Sequence, residues 1–439
     1  MKITHLQSST QIIDINGVKL LTDPWLTDGE YYGSWYHYPP FPMKQIGDLD
    51  YDFIYVSHIH PDHLSEETFK CLPKKVPVLI HNYESKFLKR KLEIFGFEVI
   101  ETNHGQPHLF PNGGSITIYA ADNCDPELCG RFLGCGKLEN RFQSTQIDTM
   151  ALIECCGERI LNTNDCPYEL LENTIVKNKI NNLKIDLLLV GYAGAGPYPQ
   201  CFEFKSEYEK EAAADSKKKQ FLGQTIKYIN LLNPKRYALF AGTYILGSRL
   251  VRYNRFRGVP SIKEAVEYID SKVSSGSISI LLEQFDSLDL GLGVKTISCR
   301  PIDKSLEEYS VEIGSKGLVY DADEWDDAEL EVILEKAYCR FKSKTIDINF
   351  QSDTYFIIQT NLVAFKFNRV CCPEMIKIDA VIPNPFVKIT LNHNLLHRLL
   401  RGPKYAHWNN AEIGSHLYYH RIPNVFERGL HHCLCFFHN

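Results

Sequence analysis

The sequence predicts an α/β sandwich, two β-sheets packed face to face with helices over their outer sides, followed by a smaller α+β domain. Three observations predict it. Short apolar runs bounded by Gly, Asn, Asp and Pro recur through residues 1–294, as strands and turns do. Stretches of helical spacing fall between those runs, which is the pattern of sheets covered by helices. After about Val294 the spacing changes, and longer helical stretches alternate with a few strands. The 439 residues exceed what one hydrophobic core comfortably fills. The division expected is therefore 1–294 for the sandwich and 295–439 for the C-terminal α+β domain.

Taken in order, residues 2–6, 10–15 and 18–22 read as a strand and a hairpin, with Asn16-Gly17 as the tight turn. Residues 52–57 (DFIYVS) are a short buried strand that runs straight into a histidine cluster. Ser65 is placed to cap a helix reaching Cys71. A strand at 78–81, a basic amphipathic helix at 83–95 ending before Gly96, and a strand at 98–101 follow. Asn112-Gly113-Gly114 turns into a strand at 115–121, and 151–155 with 159–162 form a hairpin about Gly157. Residues 185–190 (IDLLLV) are a buried strand leading to the glycine-rich stretch 191–196. A long charged helix spans about 205–232, a strand 236–240 and a helix 261–274. In the C-terminal part, 323–341 reads as a helix, 345–350, 355–359 and 387–391 as strands, and 395–401 as a helix. No repeat of solenoid period is present.

Composition narrows the function classes. Hydrophobic residues make up 44% and charged residues 23%, an ordinary globular balance. A formal charge of −6 gives no electrostatic case for DNA or RNA. The start, MKITHLQSSTQIIDINGVKLLTDPWL, has no apolar leader region, and no later run is long and apolar enough for a bilayer. The expectation is a soluble, cytoplasmic protein with no membrane insertion. Its fourteen cysteines are expected to be reduced, with the cluster Cys124, Cys129, Cys135, Cys155, Cys156 and Cys166 read as structural, buried thiols. The spacing of that cluster matches no metal-ligand pattern.

The chemistry lies in His58-Ile59-His60-Pro61-Asp62-His63. In extended chain His58 and His60 project to the same side, and Asp62 and His63 follow as the chain turns toward a helix. Four potential ligands at the edge of a buried strand make a compact metal site. Imidazole suits zinc, iron and manganese, and the carboxylate neutralises charge.

This motif resembles the signature of the metallo-β-lactamase superfamily, which implies an αββα sandwich. Leu21-Thr22-Asp23-Pro24-Trp25-Leu26 resembles the branch that holds N-acylphosphatidylethanolamine phospholipase D and ascorbate-6-phosphate lactonase. Asn164-Asp165-Cys166, the stretch 192–199, Phe240-Ala241-Gly242 and the stretch 407–414 look like the metallo-β-lactamase-like part of CMP-N-acetylneuraminate hydroxylase. The resemblance runs in patches from the first residue to the last. It implies that His58 and His60 hold a first metal, that Asp62 and His63 hold a second, and that Asp165 bridges both. Two positions depart from the pattern. Asp122-Asn123-Cys124 stands where a third histidine is usual, with Asp122 as a substitute ligand. Phe240-Ala241 stands where a last histidine is usual and cannot ligate through Phe240; His104 and His108 are candidates to join the second site.

The expected cofactor is one or two divalent metal ions, zinc or iron. The function expected first is a metal-dependent hydrolase acting on a small polar substrate, phosphate- or nucleotide-sugar-containing, through a metal-bound hydroxide that Asp62 or Asp165 positions or deprotonates. The alternatives are a non-haem iron oxygenase resembling the hydroxylase, and a metal-binding scaffold with little catalysis. The paired Cys-x-His and Cys-x-x-His elements of a Rieske domain are not found together in the sequence, so an oxygenase would take electrons from a separate redox partner. The other partner expected is the small-molecule substrate, with no nucleic acid and with a homo-oligomer left open. The stretch 191–196 is expected to rim the pocket, with Tyr192 and Tyr198 offering hydroxyls or packing. His407-Trp408-Asn409-Asn410 is open between a ligand pocket and an interface. The stretch 431–438 is expected to be a partly buried terminus.

Overall fold

The computed structural model describes residues 1–120, 147–166, 168, 183–298 and 302–439. Two mixed sheets form the first part of the molecule. In the eight-stranded sheet the order is Val294–Thr296, Ser287–Asp289, Lys2–Gln7, Thr10–Ile15, Val18–Thr22, Phe53–Tyr55, Val78–His81, Val99–Thr102. The seven-stranded sheet runs Ile278–Ser279, Arg236–Phe240, Leu187–Gly191, Glu158–Asn162, Thr149–Cys155, Ser115–Ala120, Pro107–Leu109. Each sheet is antiparallel where hairpins build it and parallel where helices connect its strands.

Side-chain alternation explains the layers. Leu187 and Leu189 join Ile13, Leu20, Ile118 and Ile153 in the core between the sheets. Leu188 and Val190 point the other way and pack with Tyr228, Ile229 and Ile269, which come from the helices Glu207–Leu232 and Ile262–Asp270. On the far side Leu21, Ile54 and Ile80 meet Phe69, Leu88 and Leu92 of the helices Glu66–Cys71 and Phe87–Ile94. The order is helix, sheet, sheet, helix, the αββα sandwich expected. Two-residue periodicity in a strand buried on both faces produces it.

The hairpin expected at Asn16-Gly17 is present, with both residues at positive φ as a two-residue turn of matching twist requires. Ser65 caps its helix by accepting the Thr68 amide. One expected element is overturned. Residues 345–350, read as a strand, are instead the end of the helix Leu330–Asp347 and the turn beyond it. The buried positions Ile333, Leu334, Ala337, Tyr338, Phe341 and Thr345 keep helical spacing through the β-branched stretch, so packing outweighs local propensity. The same helix starts later than expected, because Asp326 caps a short 3₁₀ turn before it.

The C-terminal part carries a five-stranded sheet in the order Glu374–Met375, Ala364–Phe367, Tyr355–Gln359, Phe386–Thr390, Tyr418–Ile422. Its core is continuous with side chains from the other end of the chain. Trp25, Tyr31, Trp35, Tyr244 and Leu246 pack in one cluster with Leu334, Phe341, Trp408 and Phe437. The stretch 431–438 is largely buried, with Trp408 donating to the Phe437 carbonyl at 2.8 Å. Among the described residues no helix is long and apolar enough to cross a membrane.

Candidate metal centre

The chain leaves the strand Phe53–Tyr55 at the sheet edge and turns back at residues 58–63 before entering the helix Glu66–Cys71. The His60 carbonyl closes that turn by accepting the amides of His63 and Leu64. Across the gap, Asp165 follows the strand Glu158–Asn162 in the second sheet. Asn164, at positive φ, donates to the Thr149 carbonyl and the Tyr55 hydroxyl. Thr149 in turn donates to the Ser57 carbonyl, which brings Asp148 beside His58.

Six donors converge there. His58 Nε2 lies 2.9 Å from His60 Nδ1, 3.8 Å from an Asp148 oxygen and 3.9 Å from Asp165 Oδ2. His63 Nε2 lies 3.3 Å from Asp165 Oδ1 and 3.7 Å from Asp62 Oδ2. Ligands bound at about 2.1 Å stand roughly 3.0–3.5 Å from one another around a cation, so these separations fit two adjoining positions. His58, His63 and Asp165 are the donors whose ligand atoms all lie within 4.8 Å of one another; around two cations, His60 and Asp148 would join His58 and Asp165 at the first position, and Asp62 would join His63 and the other oxygen of Asp165 at the second.

The nitrogens turned away from the gap have partners of their own. Asp23, fully buried, accepts from the Ser57 amide and hydroxyl at 2.7 Å each, and its Oδ2 lies 2.8 Å from His63 Nδ1. The Ser57 hydroxyl, having donated to Asp23, accepts from His58 Nδ1 at 2.9 Å. Both rings therefore carry a proton on Nδ1, the tautomer that turns Nε2 toward a metal. Burial opposes a second proton on His63, yet the Asp165, Asp23 and Asp62 carboxylates hold it well above the usual imidazole range, so a metal binding there would displace the proton on its Nε2. His60 presents Nδ1, so its Nε2 carries the proton; the Asn409 side-chain amide lies 3.3 Å from it and accepts that proton once its oxygen is turned inward. Tyr31 donates its hydroxyl to Asp62 Oδ1, leaving Oδ2 toward His63. This donor set fits a metal.

Electrostatics point the same way. Burial and neighbouring imidazoles hold His58 well below the usual imidazole range, and burial lowers His60. Burial, reinforced by the Asp165 carboxylate, pushes Asp148 up to about 7. Burial opposes ionisation of Asp165, yet His63, His58 and His60 together hold it below the ordinary carboxylate range. Carboxylates forced together against their repulsion are the surroundings a divalent cation relieves.

Of the residues singled out in the sequence, His58, His60, Asp62, His63 and Asp165 come together; Asp122, with Cys124, Cys129 and Cys135, lies outside the described residues. Phe240 is buried in the inter-sheet core. His104 accepts the Ala120 amide, and His108 packs edge-on against Phe110. Asp148 and Tyr31 were missed, and Asp23 was noted only within a family-like string, with no role. Asp148 directly precedes a strand in the same sheet as the one Asp165 follows, a signal available in the sequence. His407-Trp408-Asn409-Asn410 divides its work, Trp408 in the core and Asn409 on His60. A second cluster, Asp327 with His393 and His397, has a different explanation. Arg401 can only donate, so His397 Nδ1 accepts from it, and the Nε2 proton goes to Asp327 at 2.8 Å.

Comparison with known proteins agrees with the fold and the motif. Residues 2–124 match the β-lactamase superfamily domain. The cytidine monophosphate-N-acetylneuraminic acid hydroxylase of Danio rerio is 27% identical over 253 residues, 55% of this chain. That match spans only 38% of the relative's length. Among solved structures, an isothiocyanate hydrolase from Delia radicum gut bacteria superposes with a TM-score of 0.44 at 14% identity, over 66% of this chain and 99% of the other. A diiron β-hydroxylase from Streptomyces venezuelae superposes with a TM-score of 0.41 at 14% identity, over 65% of this chain and 53% of the other. The domain match over residues 2–124 and the hydroxylase match support a relative of the metallo-β-lactamase fold.

Proposed function

We propose that the chain is a metal-dependent enzyme that oxidises a small polar metabolite at a carboxylate-rich centre, with electrons supplied by a separate protein. Asp148 carries this reading. It sits at His58, a carboxylate that the resemblance did not point to, so the first position offers two imidazoles and two carboxylates. Such oxygen-rich sets suit iron or manganese with open positions better than zinc. The hydroxylase relatives, whose name specifies a nucleotide sugar, support a substrate of that class. Iron bound in this cradle would supply oxygen activation, and zinc would supply a Lewis acid and an acidified water.

The protein's own part is the same in either case. Asp23 sets the rotation of His58 and His63 through Ser57 and directly. Tyr31 anchors one oxygen of Asp62, and Asn409 steadies His60. Rings and carboxylates held this way need little rearrangement when charge develops beside them. A hydrolase is the second reading. The observation in its favour is the second position, where Asp62, His63 and Asp165 make three donors, the number that catalytic zinc sites use.

Elemental analysis of protein purified without added metal separates the two. Iron or manganese in excess of zinc is expected, with dioxygen consumed when a CMP-linked sugar and a chemical reductant are supplied. Stoichiometric zinc, with a product released in the absence of dioxygen, overturns the oxidative reading in favour of hydrolysis.

A further inference from the structure

Two cations are buried without a counter-charge beside the metal centre's sheet edge. Arg257, only 4% exposed, ends the 3₁₀ helix Ser248–Phe256. Its guanidinium lies 3.7 Å over the Tyr244 ring and Nη1 donates to the Tyr244 carbonyl at 2.5 Å. Its Nε and Nη2 are buried with no hydrogen-bond partner. Lys217, 8% exposed, comes from the inward face of the helix Glu207–Leu232. The two are neighbours, because the Arg257-Gly258 segment lies against that helix one turn before Lys217. A Cβ on Gly258 would stand 2.3 Å from the Ala214 carbonyl oxygen. Among the described residues neither cation has a carboxylate partner; only the thiol of Cys201 lies near Lys217 with opposite effect.

A buried arginine with two idle donors costs folding free energy unless something answers it. Burial, with Arg257 adding to it, pushes the Lys217 ammonium down to about 7. The hydroxyls of Tyr192 and Tyr244 feel the same guanidinium, and Thr243 Oγ1 is a further buried group without a partner. Position matters as much as charge. The strands Glu158–Asn162, Leu187–Gly191 and Arg236–Phe240 are parallel neighbours, so Asp165, Tyr192 and Thr243 emerge side by side from their carboxyl ends. Open α/β sheets bind ligands at that edge. Tyr244 also lies close enough to Asp62 to sense its charge.

We propose that Arg257 and Lys217 form a subsite for an oxyanion, a phosphate or carboxylate group, with Tyr192 and Tyr244 as its walls. An arginine fork and an ammonium are the pair that grips such a group. That the anion belongs to the substrate rests on the function proposed above; that the subsite binds it does not.

The test is thermal unfolding of the metal-loaded protein in inorganic phosphate and, in parallel, acetate, against sodium chloride at matched ionic strength. One of the two oxyanions should raise the Tm of the wild type saturably, by on the order of 2 °C or more, and the one that does so identifies the group. Lys217→Met should abolish that rise with metal content unchanged, and should itself raise the Tm in chloride by removing an uncompensated buried charge. Arg257→Gln should also abolish the rise. A wild type that responds no more to either oxyanion than to chloride overturns the subsite. So does a Lys217→Met protein that keeps the full response, which would place the anion on the metal or elsewhere. Neither result touches the elemental analysis, so the two proposals fail separately.

Discussion

His60→Ala should lose most of its bound metal, a drop of about tenfold or more in metal per chain after gel filtration without added metal. The imidazole would supply one of four donors at the first position, 2.9 Å from His58 Nε2. Activity should fall with the metal. The fold should not. His60 is only partly buried, and the contacts that shape its turn are made by its carbonyl, which accepts the amides of His63 and Leu64 and is kept by alanine. Metal-free His60→Ala and metal-free wild type should therefore unfold within about 0.5 kcal/mol of each other in urea. Full metal content and full activity in the variant would mean that the cation sits somewhere else.

The sandwich was legible because its cause is local. Alternation in the run 185–190, the Asn16-Gly17 turn and the Ser65 cap each act over a few residues, and the structure keeps all three. The histidine motif was legible for the same reason, since its spacing brings ligands together in a single turn of chain. What the sequence hid is what folding brings in from far away. Asp148 reaches His58 because Thr149 bonds to the Ser57 carbonyl across the two sheets. Asn409 reaches His60 because the C-terminal core closes over Trp25, Tyr31 and Trp35. Neither contact leaves a periodicity to read. The strand expected at 345–350 failed through the reverse effect. Thr345, Ile346 and Ile348 favour extended chain, but one helical face was already buried through Phe341 and continued to Thr345.

Asp23 shows the same limit most clearly, and its replacement is the second large effect expected. In the sequence it is part of a family-like string, and its task lies some forty residues onward at His63. Asp23→Asn keeps the size of the side chain and tolerates the left-handed backbone at this position, where φ is 39°. One amide oxygen can still accept from the Ser57 backbone. The other position, now an NH₂, must donate where a carboxylate oxygen accepted from both the Ser57 hydroxyl and His63 Nδ1. Facing a donor, His63 Nδ1 has to give up its proton, which moves to Nε2 and blocks the nitrogen that faces Asp62 and Asp165. Ser57 loses its acceptor as well, and its hydroxyl is freed to turn toward His58 Nδ1, spoiling the second ring. Metal affinity should fall about 10–100-fold, measured by competition with a chromophoric chelator. Asp23→Ala should add to this a stability loss of about 1–3 kcal/mol in the metal-free protein, because buried donors are left unpaired. An Asp23→Asn protein that binds metal as tightly as wild type would show that the proton positions of His58 and His63 are set by some other group.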